Sequence, residues 1–373
     1  MASDLDTRIV ESRGVSEIYI AAVPDPGDPI EQQARDVFER IHDRLSAMNA
    51  RILQERVFAN ADVMSLLSKN RSEVYGILDD GVAPSYLVSE TPGSCPVAGI
   101  QVYAVAGATE VDVLGLEDAP CGRVVGTADR KCVMLSGITG DADTPPAQQA
   151  QILLQKGELV LEQFEADFLS VARTWMWLGD ILSWYGDFNT VRTDFFKERG
   201  LVGEGTRQSM PASTGIGLGP AGPCACSMDL TAVIEPRGAT EYLGALGRQQ
   251  CALEYGSAFS RASRAVTPAG RTVFVSGTAS IDAAGATTNI GDAPAQIQTT
   301  IQNVQAVLSD MGLGDQDVVQ VVAYSKTTEV EDIFKHMKDH LAWPWVSVVC
   351  DVCRDDLLFE IEAAAIADSK KID

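Results

Sequence analysis

The chain has 373 residues, 46% of them hydrophobic, which allows two or three domains with sizeable cores. A formal net charge of −23 excludes general nucleic-acid binding, which needs a basic footprint, and argues against docking on an anionic membrane. No apolar run is long enough to span a bilayer, the opening MASDLDTRIVESRG has no apolar signal core, and eight cysteines without a secretory context read as reduced thiols. A cytoplasmic protein is therefore expected.

In chain order, residues 1–13 read as a frayed leader. The strand EIYIAAVP follows, then Gly27-Asp28, a helix opened by Gln32 and running to about Asn49, and the strand RILQERVFAN. The helix ADVMSLLSKNRSEV and the closing strand CPVAGIQVYAVAG complete a first unit. A Gly/Asp-rich joint, LGLEDAPCGR, leads to the second: CVMLSGIT, Gly140-Asp141, Gln148, the strand LSVARTWMWL, the helix DFNTVRTDFFKER and CACSMDLTAVIEP. After a connector, EPRGATEYLGALGRQQCALEYGSAF, the third has TVFVSGTASI, Gly291-Asp292, Gln296 and VVQVVAYSKT. It ends with the helix EVEDIFKHMKDHL and VVCDVCRDDLLFEIEAAAI, before a polar tail, ADSKKID.

Order and punctuation thus repeat three times. Apolar residues alternate or run continuously in the strands and recur at three- and four-residue spacing in the helices, as with Val330, Ile333, Met337 and Leu341. The fold expected is α+β: three tandem modules at 1–120, 121–240 and 241–373, each a small mixed sheet with two helices on one face. The bare sheet faces would pack together as a central barrel in a single-chain pseudo-trimer, monomeric in solution, with clefts between modules.

The strings VFVSGTASID, GDAPAQIQ, VVQVVAYSKT and CRDDLLFEIEAAAI resemble the YjgF/Rid family. Together with VARTWMWL, MPASTGIG and YGSAFSRAS they resemble its chorismatase branch over roughly residues 130–366. The resemblance implies an enzyme that releases pyruvate from chorismate, or a related ring acid, without metal or organic cofactor. It places the acidic catalytic residue at Glu360 and substrate-binding arginines at Arg173 and Arg261. The pair that determines the branch falls on Gly277 and Cys353, the combination of the 3-hydroxybenzoate branch.

The residue types suit that chemistry. The small substrate would be anionic, and arginine forks bind carboxylates in a bidentate plane. Arg173 lies inside an apolar strand, where an unpaired charge is costly. Strand alternation puts Glu360 and Glu362 on one face, and a partly buried carboxyl there can stay protonated and serve as a general acid. Backbone N–H groups of Thr214, Gly215 and Gly217 could hold a carboxylate, and Tyr255 opens the segment leading to Arg261. Cys353 is expected at the tip of a hairpin with the turn CRDD. The plain alternatives are structural ion pairs for the arginines, a solvated face for Glu360, an inert thiol for Cys353 and an ordinary turn at 214–217. A Rid-type imine deaminase would need an arginine on the strand before the closing one, and WPWVSVVCDVC has none. A non-catalytic small-molecule-binding protein is the remaining alternative.

Overall fold

The repeat is realised as three sheets, each carrying its helices on the outer face, in a computed structural model that describes residues 4–91, 95–203 and 209–372. The first sheet is built from β1 (Asp4–Ser12), β2 (Val15–Val23), β3 (Arg51–Ala59), β4 (Ser85–Val88) and β5 (Val97–Gly107), with helices α1 (Ile30–Ala47) and α2 (Met64–Tyr75). The second has β6 (Glu110–Leu116), β7 (Ala119–Gly126), β8 (Lys131–Thr139), α3 (Pro146–Glu162), β9 (Val171–Leu178) and α4 (Ile181–Glu198). It continues through β10 (Ala212–Ile216), β11 (Gly219–Pro220) and β12 (Cys226–Glu235). The third comprises β13 (Glu241–Leu243), β14 (Ala262–Val266), β15 (Arg271–Ala279), α5 (Ala293–Asp310), β16 (Val318–Ser325), α6 (Thr328–Met337), β17 (Trp345–Val349) and β18 (Phe359–Ile366), followed by β19 (Lys370–Ile372). Strand orders are 11-4-3-5-2-1-19, 10-9-12-8-7-6 and 13-14-15-18-16-17, so β11 and β19 cross from their own modules to close the edges of the first sheet.

The sheets are apolar on both faces for different reasons. Outward residues pack under each module's own helices, as Phe359 and Ile361 do beneath α5 and α6. Inward residues from all three sheets share one central core that includes Phe58, Trp175, Trp177, Phe274 and Tyr324. Phe58 and Trp177 meet edge-on at 6.1 Å, and Trp175 and Phe274 at 6.2 Å, which ties the modules by aromatic packing beyond simple area burial. This is the single-chain α+β pseudo-trimer that the repeat implies. Among the described residues no helix is long and apolar enough to cross a membrane.

Four local expectations change. The leader is not frayed: β1 pairs along its length with β2, and the polar tail supplies β19 beside it. The Gly/Asp-rich joint is the turn of the β6–β7 hairpin, so the second sheet reaches back to Glu110. In the first two modules the helix-opening glutamines that matter are Gln33 and Gln149 rather than Gln32 and Gln148. The buried amides of Gln33 and Gln149, like that of Gln296, bond backbone at the helix entry or beside the closing strand. Finally, CRDD is not a hairpin turn. β17 is parallel to β16, and β18 is antiparallel to both β15 and β16, so the 350–358 segment crosses over the end of β16. That crossover carries Cys353 and Arg354 to the cleft between the second and third modules.

Candidate active site

Three elements converge there. The inner face of β18 presents Glu360, strand β15 brings Gly277 beside it, and helix α4 reaches across from the second module with Tyr185 and Arg192. Arg261, at the entry to β14, and the crossover residues Cys353 and Arg354 complete a cleft that opens to solvent, with about 500 Å³ of empty space when the open solvent at its mouth is included. β15 bulges opposite β18 between Val275 and Thr278, and Gly277 sits in that irregularity. A Cβ there would lie 2.1 Å from Glu360 Oε1, so glycine is what lets the carboxyl lie over the strand.

The electrostatics divide the site in two. Burial, and next the neighbouring Glu362, push the Glu360 carboxyl up to about 8, while Arg173, Arg354 and Arg261 pull it down. Around neutral pH Glu360 is therefore an acid holding its proton. Against it stand three guanidinium groups, Arg192, Arg261 and Arg354. Arg261 is buried, donates Nε to the Gln250 carbonyl at 2.9 Å and Nη2 to the Tyr255 hydroxyl, and lies against the Phe259 ring. Arg192 is equally buried between the Phe188 and Phe259 rings, and its Nε has no hydrogen-bond partner among the described residues. Arg354 donates to the Gly285 carbonyl at 2.7 Å and lies over the Tyr255 ring. Burial pushes the Cys353 thiol up to about 12, so it is neutral and no nucleophile around pH 7. Among the described residues no cluster of three His, Cys, Asp or Glu side chains forms a metal site.

The cavity gathers Glu360, Cys353, Arg261, Gly277, Gly215 and Tyr255 from the residues singled out in the sequence. It does not include Arg173, Thr214 or Gly217. Arg173 is fully buried behind the cleft, where Nη2 donates to Glu362 Oε2 at 2.8 Å and to the Thr214 hydroxyl. Alternation along β10 turns Thr214 to that side while Ser213 and Gly215 face the cavity. Gly217 is consumed by a backbone bond to Asp351 at 2.9 Å, and a Cβ there would lie 2.5 Å from the Asp351 carbonyl oxygen. The sequence reading passed over Tyr185, Arg192 and Arg354. The available signal was the stripe Tyr185, Phe188 and Arg192 at helical spacing. Beginning the helix at Asp187 cut that stripe, whereas α4 begins at Ile181.

Register shows how the other two clefts differ. Glu360 pairs with Tyr324, Ser227 with Trp177 and Gly99 with Phe58, the same ladder position in each module. Serine and glycine thus replace the acid at the other clefts. Between modules one and two the space is taken by Asp229, which accepts from Arg56 at 2.8 Å, from Gly137 N at 2.8 Å and from the Ser85 hydroxyl. Between modules one and three, Val346 packs on Gly99.

Residues 255–367 match the family Endoribonuclease L-PSP. A 3-hydroxybenzoate synthase of Streptomyces hygroscopicus is 30% identical over 230 residues, which make up 56% of this chain and 66% of that protein, just short of two thirds of its length. The crystal structure of a chorismatase superposes with a TM-score of 0.62 at 19% identity, covering 84% of this chain and 93% of that one, a likeness of fold.

Proposed function

From a chain with an L-PSP (YjgF/Rid) module at its C-terminus, and with similarities on the chorismatase-like branch of that fold, we propose an enzyme that releases pyruvate from chorismate or a closely related ring acid. The observation that carries this reading is a buried carboxyl, Glu360, which burial pushes up to about 8, facing three guanidinium groups in one cavity of a strongly acidic protein. A dianionic substrate needs local positive charge to enter against an adverse overall field, and an enol ether needs a proton to become a leaving group.

In this mechanism Arg192, Arg261 and Arg354 hold the two carboxylates with the guanidinium edges that face the cleft. Glu360 gives its proton to the enolpyruvyl methylene, the ether bond to the ring breaks with its electron pair going to pyruvate, and the ring loses one C–H proton as it aromatises, which restores the proton on Glu360. The atoms of chorismate divide between pyruvate and a hydroxybenzoate with no other reactant. Gly277 leaves room over Glu360, and the neutral Cys353 thiol lines the wall beside it. No cofactor is called for in this scheme.

The test is pyruvate release from chorismate, read by a coupled dehydrogenase, with aromatic product identified by chromatography. Wild-type protein should release pyruvate, and Glu360→Gln should be slower by about 10²–10⁴-fold while remaining folded. Absence of pyruvate with wild-type protein overturns the substrate. Wild-type rates in Glu360→Gln overturn the mechanism. Ammonia release from a 2-aminoacrylate-type imine is the readout of the deaminase alternative.

A further inference from the structure

Behind the cavity lies a buried ion pair that the proposed chemistry does not use. Arg173, from β9 of module two, donates to Glu362 Oε2 at 2.8 Å, and Trp175 Nε1 donates to Glu362 Oε1 at 2.9 Å. Both charged side chains are nearly fully buried. Glu362 stands on the same face of β18 as Glu360, two residues along, about 6.6–6.8 Å by strand geometry. Arg173 also contacts the hydroxyl of Thr214, whose Cγ2 would lie 3.3 Å from a Cβ at Gly277, the glycine beside Glu360.

Position alone could make the pair a fastener between modules. Its counterpart between modules one and two, Arg56 with Asp229, is one. There, however, the residue two places before the acid is Ser227, whose hydroxyl does not titrate near neutral pH. Only between modules two and three does the pair face a titratable neighbour at that ladder position. We propose that Arg173 and Glu362 are positioning residues whose opposed charges set whether Glu360 keeps its proton at neutral pH. The proposal rests on Glu360 being the proton donor.

The groups facing Glu360 are Glu362 on its own strand, Tyr324 on β16, Arg173 on β9, Arg261 before β14, Cys350, Cys353 and Arg354 on the crossover, and Tyr185 and Arg192 on α4. Tyr324 and the two thiols are neutral near pH 7, because burial drives all three upward. Glu362 is the carboxyl neighbour in that set. It disfavours ionisation of Glu360, and Arg173, Arg354 and Arg261 favour it. A unit charge at roughly 7 Å moves a carboxyl by about one to two pH units at an effective dielectric near 20.

The experiment titrates the Glu360 carboxyl in the full chain by infrared difference spectroscopy, with the protonated-carboxyl carbonyl band assigned by its loss in Glu360→Gln. Glu362→Gln keeps one acceptor oxygen, for Arg173 or for Trp175, and removes the charge, and its midpoint should fall by about one pH unit or more. Arg173→Gln should move the midpoint the opposite way. Arg173→Lys retains the charge and should leave it in place. Midpoints unmoved in the Gln variants, or lowered in both of them as general hydration of the cleft would lower them, overturn the proposal. So does a shift in Arg173→Lys as large as that in Arg173→Gln. The band needs no substrate, so this result stands apart from the pyruvate assay. Where pyruvate is released, the alkaline limb of kcat should follow the same shifts.

Discussion

Glu360 couples protonation to folding as well as to catalysis. Its folded value near 8 lies above the ordinary 4.5, so between those pH values the folded chain holds a proton that the unfolded chain releases. Stability contributed by this group is complete below the ordinary value and is lost as pH rises through about 8. Glu360→Gln has no proton to lose. Its melting temperature should match the wild type at roughly pH 5 and exceed it at roughly pH 9, a reversal of the usual sign for a carboxylate. Gly277 makes a second prediction at this scale. A methyl group at 277 would meet Glu360 Oε1 at 2.1 Å, so Gly277→Ala should displace the carboxyl. The expected result is a lower kcat or a changed product ratio in the chorismate assay, with melting temperature little altered.

Helix α4 and strand β12 do different work from equivalent places. α4 lends Tyr185 and Arg192 to the cavity of the next module, its apolar stripe docked through Phe188 and Phe196. Arg192→Met keeps much of the stem's packing and removes a guanidinium. It should raise KM at least tenfold with the fold intact, since a charge-assisted bond to a carboxylate contributes roughly 1.5–3 kcal/mol. β12 instead carries Asp229 into a joint that is already filled. Removing its partner with Arg56→Met leaves a buried carboxylate short of its countercharge, at a cost of about 3–5 kcal/mol. Denaturant unfolding should report that loss.

For the whole molecule, the three trimer-forming faces are spent within one chain, and one of the three clefts is furnished. The chain should sediment as a monomer. Calorimetric titration with a slowly reacting substrate analogue should give one site per chain, because Ser227 and Gly99 stand where the acid would be in the other clefts. A stoichiometry near three would show that the filled joints open.

Strand–helix order, the three-fold repeat and the inward face of β18 were all legible in the chain, because hydrophobic period and Gly-Asp punctuation are local properties. The placement of Glu360 and Glu362 on one face follows from alternation alone. Other features depend on what lies opposite across a module boundary. Arg173 and Arg261 look alike as arginines in apolar surroundings, yet one meets Glu362 and the other a cavity. The leader became a strand through its hairpin with β2, and the tail joined that strand from more than 350 residues away in sequence. CRDD became a crossover because β18 entered the sheet between β15 and β16, a choice of strand order that no local turn signal encodes. The sequence by itself determined the modules and their repetition; tertiary structure decided which arginines face solvent space and which are paired, since charge pairing and desolvation are set by neighbours distant in the chain.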